Sequence, residues 1–340
     1  MSKKILHVVI ASLMILAMVA ACAPAADTTT TETTSGVPFV YGIYATPIEE
    51  PWDGVIHAAL QQAADDGLIT YEYQENIGYS GDMERILQEV CDQQNPAIIF
   101  GDAFGNEEAV RRVAALYPDI AFVFGSGYGP VEPNFSVFDN WIQEPAYLSG
   151  MLAGGMTTTG TIGVVGGYPV PEVNRLVNAF IAGAHEVNPE STVLVTFINS
   201  WFDPAAAAEA ARAQVDAGAD VLYAERFGVI DVAVENGLWA FGNMSDQNSL
   251  GTDNVLTGPV WNMTPTVEYV VAQVVAGSYT AQDLKDFSMW VKGGASLADY
   301  HGLDAQIPAE LLATVQERAD QISSGMFRVD IDEAQPAPVN

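Results

Sequence analysis

Basic residues are what this chain has least of. Lysine and arginine together number 12 against 43 aspartates and glutamates, for a formal net charge of −31. Nucleic acids and anionic bilayers are held by patches of Lys and Arg, so both are set aside as partners. Cysteine is scarcer still, with only Cys22 and Cys91. With Cys22 occupied as described below, Cys91 has no disulfide partner and reads as packed core on a helix. His57, His185 and His301 lie far apart, and no Cys/His cluster offers a zinc site. The chain carries no Gly-x-Ser-x-Gly elbow, no P-loop and no His-Glu-x-x-His helix. Neither catalysis, a metal nor a cofactor is therefore expected. Past residue 21 no apolar run is long enough to cross a bilayer.

The one long apolar run opens the chain. Lys3 and Lys4 precede an apolar stretch over 5–20, and Val19-Ala20-Ala21 places small residues before Cys22, as in a bacterial lipobox. Residues 1–21 read as a lipoprotein signal peptide, with an uncleaved signal anchor as the alternative. Lipid on Cys22 would tether the protein to a membrane without spanning it. Residues 22–36, rich in Thr and Ser, read as a flexible tether. About 300 residues remain, enough for two domains.

Those residues alternate strand, loop and helix. Strands are expected at 40–45, 71–73, 97–100, 121–124 and 136–139, and again at 162–165, 193–197, 221–224 and 239–241. The most regular stretch is 161–203. There Val173, Leu176, Val177, Phe180, Ile181, Ala184 and Val187 recur at helical spacing after Pro171, and Asn188-Pro189 ends the helix. Asp203 before Pro204 is a cap for the next helix. Such alternation builds parallel sheets with helices on both faces, here in two halves.

In parallel sheets ligands lie beyond the carboxyl ends of the strands. The residues there are Trp52, Asp53, Asp102, Phe104 and Tyr128 in the first half, and Tyr168, Trp201, Glu225, Arg226, Phe227 and Asp246 in the second. Aromatic rings converging from two halves can sandwich a flat heterocycle, at about 1–3 kcal/mol per stacked base. Carboxylates beside them can accept N–H or O–H bonds from its edge. Plainer readings stand beside these: Trp52 packing under its helix, Asp53 as a cap, Phe202 as the core partner of Trp201, and Asp139 fixing a hinge.

The wording of two strings, GYPVPEVNRLVNAFIAGAHEVNP at 167–189 and NSWFDP at 199–204, resembles the signature of the basic membrane protein (BMP) family. These are substrate-binding lipoproteins of ABC transporters, whose characterised members hold purine nucleosides or bases. The resemblance implies an α/β type I periplasmic-binding-protein clamshell, with two doubly wound parallel-sheet lobes and a ligand cleft between them. Its three crossings are expected near 140, 250 and 285, giving an N-terminal lobe of 37–140 plus 251–285 and a C-terminal lobe of 141–250 plus 286–330. FGNMSDQ at 241–247 matches the family's G-x-x-S-D segment and carries Asp246 into the site.

The lysine that nucleoside-binding members place shortly afterwards is missing; 258–262 reads Gly-Pro-Val-Trp-Asn instead. Trp261 and Asn262 would then line the ribose end, so a free purine base is expected to be held at least as tightly as its nucleoside. The same resemblance implies an extracytoplasmic, lipid-anchored, monomeric receptor that hands its ligand to ABC permease subunits. Three rivals are a sensor presenting ligand to a membrane signalling partner, a receptor for a riboflavin-type ligand, and a nucleoside hydrolase.

Overall fold

The computed structural model describes residues 36–336. The expected leader, Cys22 and nearly all of the 22–36 tether lie outside the described residues. Strands β1 (Phe39–Ile43), β2 (Thr70–Gln74), β3 (Ile98–Asp102), β4 (Ala121–Gly125) and β5 (Phe135–Phe138) form one parallel sheet in the order β2-β1-β3-β4-β5. Strands β6 (Thr161–Gly166), β7 (Thr192–Phe197), β8 (Val221–Ala224), β9 (Trp239–Phe241) and β10 (Val255–Thr257) form a second. Its order, read from the β7 edge, is β7-β6-β8-β9-β10, the same permutation as the first. β3 and β4 are buried along their whole length, as parallel strands covered on both faces must be.

Helices α1 (Pro51–Asp65), α2 (Met83–Gln94) and α3 (Glu107–Leu116) connect the first sheet. Helix α4 (Gln143–Met156) leads into the second, which is connected by α5 (Pro171–Val187), α6 (Pro204–Asp216) and α7 (Val229–Asn236). The local signals explain these bounds. Pro171 and Pro204 stand in the first turns of α5 and α6, and Asp203 caps α6 by accepting from Ala206 N at 3.0 Å. Cys91 is buried in α2, as expected.

The return of the chain departs from the expected bounds. β10 belongs to the second sheet, so the second crossing falls after Thr257 and not near 250. A two-stranded pair follows, β11 (Pro259–Trp261) antiparallel to the distant β12 (Ala295–Leu297). Helix α8 (Thr264–Val275) packs on α1, and α9 (Ala309–Ser323) packs on α4. A last segment then lies along α5: the Asn178 amide donates to Asp332 O and Ala334 O at 2.9 and 2.8 Å, and the Asn174 amide to Glu333 O at 3.0 Å. Among the described residues no helix is long and apolar enough to cross a membrane.

Helices α4 and α5 meet backbone to backbone, and glycine permits it. A Cβ on Gly150 would stand 2.0 Å from Phe180 O, and one on Gly183 would stand 2.0 Å from Tyr147 O. Backbone cannot swing aside as a side chain can, so an added methyl forces the helices apart. Gly183→Ala is therefore expected to lower unfolding free energy by at least about 1–3 kcal/mol, the usual range for overpacking. Urea denaturation measures it; a loss below about 0.5 kcal/mol, typical of an exposed position, would show that the helix pair is not tightly constrained.

Candidate functional site

The carboxyl ends of the two sheets face one another, and the loops there touch. Glu50, just after β1, reaches Arg226, just after β8, at 2.8 Å. Ser126, at the end of β4, donates to Glu172 in the first turn of α5 at 3.2 Å. Phe104 of the first lobe meets Trp201 of the second edge to face, with ring centroids 5.0 Å apart at 89°. Tyr168 leans on Trp201 from the same lobe at 4.9 Å.

Between these contacts lies an inner cavity of about 20 Å³, the room of one water. Thr46, Glu50, Trp52, Tyr79, Asp102, Phe104 and Ser126 line it from the first lobe, and Glu172, Trp201 and Arg226 from the second. Tyr79, Phe104, Ser126 and Glu172 also line a wider cavity of about 790 Å³ that continues outward to Tyr128, Arg175, Lys285 and Glu333. A flat ring slotted between two others needs about 7 Å between them, twice the contact distance of carbon atoms. Phe104 and Trp201 are closer than that, so ring insertion requires the lobes to part or the rings to turn.

The expected site residues divide into groups. Asp102, Phe104, Trp201 and Trp52 line the inner cavity. The Asp102 carboxylate accepts from Phe104 N at 2.9 Å and so presents that ring. Trp52 is 6% exposed, stacked on Phe138 and tilted against Trp261, so most of its surface is core. Asp53 stands behind the lining: one carboxylate oxygen accepts from Thr46 N and Oγ1 at 3.0 and 2.5 Å, while the other is buried without a hydrogen-bond partner among the described residues. Tyr168 reaches the site only as the neighbour of Trp201 and Phe104.

Glu225 is fully buried beneath the site, accepting from Gly167 N at 2.9 Å and pairing with Arg226 at 2.5 Å. Phe227 packs edge-on against Phe202, which is 40% exposed and not the core residue expected. Asp246 faces solvent and pairs with His301 at 2.7 Å. Trp261 is turned into the core by the β11–β12 pairing, its indole N–H on Ser288 Oγ at 2.9 Å. Asn262 is exposed and accepts from Thr264 N at the start of α8. Glu225, Phe227, Asp246, Trp261 and Asn262 line neither cavity.

Sequence reasoning passed over Glu50, Glu172, Ser126 and Arg175. Glu50 could have been found as the residue before Pro51, a helix-start signal; its carboxylate caps α1 by accepting from Trp52 N and Asp53 N. Arg175, 1% exposed, ties Asp139 at 2.7 Å to Glu333 at 3.1 Å, so Asp139 serves the crossing after β5. Ser126 takes a left-handed φ of 56°, which aims it across the cleft.

Burial governs the protonation of the acids here, and their excess over bases adds to it. Burial, reinforced by the charge of Glu50, pushes Asp53 up to about 7. Burial and Asp53 raise Asp102 well above the ordinary range, and burial with Asp139 raises Glu172 to about 8. Burial works against the charge of Arg226, but Glu225 and Glu50 more than offset it and keep the guanidinium charged.

The two parallel sheets, with a site between their carboxyl ends, define a two-lobed α/β fold. This fold is similar to that of ABC transporter solute-binding proteins from Aeropyrum pernix (17% identity, TM-score 0.74, covering 87% of this chain and 94% of that one) and Conexibacter woesei (21%, 0.69, 86% and 98%). At such identities the likeness is one of fold alone. The chain belongs to the Bmp family of PnrA-like ABC transporter substrate-binding proteins, whose model matches residues 45–286. It is 37% identical over 220 residues to a putative ABC transporter glucose-binding protein of Haloferax volcanii, covering 62% of this chain and 56% of that protein. It is 34% identical over 212 residues to a purine-binding protein of Brucella abortus, covering 62% and 60%. The chain thus spans less than two-thirds of the length of either relative.

The raised carboxyl of Asp53 carries a stability consequence. Its folded value of about 7 lies above the 3.8 of an ordinary aspartate, so the fold prefers the protonated form. That preference contributes fully below about pH 4 and is lost as pH rises through about 7. Thermal midpoints are expected to fall over this window in the parent protein and to fall less in Asp53→Asn. Parallel pH profiles for the two would overturn the assignment.

Proposed function

We propose that the protein is the membrane-tethered, extracytoplasmic receptor of an ABC transporter, and that it takes a purine base or nucleoside into the cleft between its lobes. The observation that carries this reading is the set of rings from opposite lobes, Phe104 against Trp201 and Tyr168, with the carboxyls of Asp102 and Glu172 beside them. Rings supply the faces for a flat base, and the carboxyls of Asp102 and Glu172, held toward their protonated forms, can each donate one hydrogen bond and accept others at its edge or at ribose hydroxyls. Lobes that part and close around ligand then present one shape to the permease when loaded and another when empty. The purine-binding relative supports the same ligand class.

The preference for a free base expected from Trp261 and Asn262 loses its footing, because neither residue lines a cavity. The wider cavity leaves room for a ribose as well as a base. A hexose is the second reading, favoured by the relative described as glucose-binding and by the same acid-rich lining, which suits hydroxyl donors. Calorimetric titration with adenine, adenosine, guanine, guanosine and glucose separates them. Saturable binding of a purine and none of glucose supports the first reading; the reverse replaces it. On the ligand that binds, Trp201→Ala should weaken affinity by about 1–3 kcal/mol, roughly five- to over a hundredfold. Unaltered affinity would remove Trp201 from the site.

The anchor is proposed to be lipid on Cys22, with the permease as the functional partner and a monomer as the working unit. Cys22→Ala should move the protein from the membrane fraction to the soluble fraction and leave ligand affinity unchanged. Continued membrane association would argue for an uncleaved N-terminal anchor instead.

A further inference from the structure

We propose that Arg226 and Glu50 are positioning residues for ligand capture: Arg226 fixes the stacking face of Trp201, and its pairing with Glu50 makes that placement conditional on closure of the lobes. The proposal rests on the reading of the cleft as the ligand site. It starts from the number of bonds one side chain makes. The Arg226 guanidinium donates through Nε to Glu225 at 2.9 Å and through Nη2 to Glu225 Oε1 at 2.5 Å. Nη1 donates both to Trp201 O and to Glu50 Oε1, at 2.9 and 2.8 Å. The cation also lies 5.2 Å from the centre of the Trp201 ring. Backbone and ring of Trp201 are thus held by one planar group, which Glu225 fixes from behind.

Glu50 is fixed just as firmly in the other lobe. Its second oxygen accepts from Trp52 N and Asp53 N at 2.9 and 3.2 Å, so the carboxylate cannot swing without uncapping α1. A rigid fork and a rigid acceptor meet in one lobe arrangement only. Both side chains are almost wholly buried there, at 2% and 3% exposure. Burial strips water from both charges, and that loss largely cancels their attraction. The intact pair therefore sets the register of the closed lobes with little net gain of its own, but breaking it leaves a charge buried without its partner in the closed arrangement, and parting of the lobes lets water reach that charge.

Two substitutions separate this role from capping and from folding. Glu50→Asp keeps a carboxylate suited to an N-cap but is one methylene too short to reach Arg226. Arg226→Lys keeps the charge but not the planar fork. Stopped-flow fluorescence with adenosine is expected to show dissociation about five- to thirtyfold faster in each, with association rates nearly unchanged. Because both break the same link, the double variant should be no faster than the worse single one. Urea midpoints of Glu50→Asp should match the parent. Small-angle scattering of the ligand-free proteins provides a readout that does not depend on adenosine: both variants should be more expanded than the parent. Dissociation rates within twofold of the parent, or single effects that simply multiply, would overturn the proposal. Failure of the parent itself to bind adenosine, with the variants still expanded, would count against the purine reading and leave the link between lobes standing; unchanged scattering would remove that link too.

Discussion

A single guanidinium, that of Arg226, is held in a nest of acids, and the rest of the site is arranged around keeping it charged. Glu225 and Glu50 pair with it directly, while Asp53, Asp102 and Glu172 crowd the same region with carboxyls that burial drives toward their neutral forms. Removing one partner from such a set would strand a charge out of water, which costs far more than the intact pair yields. So an alteration of Trp201, of the loop after β8 or of the Glu50 side chain bears first on how the closed lobes hold together, since parted lobes return the stranded charge to water.

The fold makes this meeting of groups possible through the strand order. In both sheets the chain reverses direction next to the first strand, between β1 and β3 and between β6 and β8. The loops that leave those strands diverge to opposite faces and open a crevice. Glu50 and Asp102 come from one such crevice, Glu172, Glu225 and Arg226 from the other. Placing two identical sheet permutations with their crevices facing produces one cleft with lining from each.

Local grammar was easy to read and distant pairing was not. Pro171, Asn188, Asp203 and the apolar spacing of 173–187 act within one or two turns, so α5 and α6 fall where the sequence puts them. The same holds for the strand-end positions of Asp102, Phe104 and Trp201. Trp261 and Asn262 went astray because the orientation of β11 is dictated by β12, more than thirty residues later, and a three-residue strand has no periodicity of its own. Glu50 and Arg226 are 176 positions apart. A charge destined for burial looks, in one dimension, like any other surface charge. Glu225 is in the neighbourhood its strand-end position implies but does other work there, since it holds Arg226 and lies outside the cavity lining.

The segment that runs along α5 after α9 is recognised in an unusual manner. Asn174 and Asn178 grip main-chain carbonyls of residues 332–334, and only Glu333 contributes a side chain, to Arg175. Carbonyl groups are common to every amino acid, so natural variation at 334 would be nearly invisible to the helix, while Asp332 matters through its own turn, accepting from Ala334 N at 3.0 Å. The two asparagines have no such latitude, since an aspartate would turn its oxygens toward oxygen acceptors. In an alignment of relatives the constraint would thus fall on the amides of α5, on Asp332 and on the spacing that delivers Glu333, while the letter at 334 drifts.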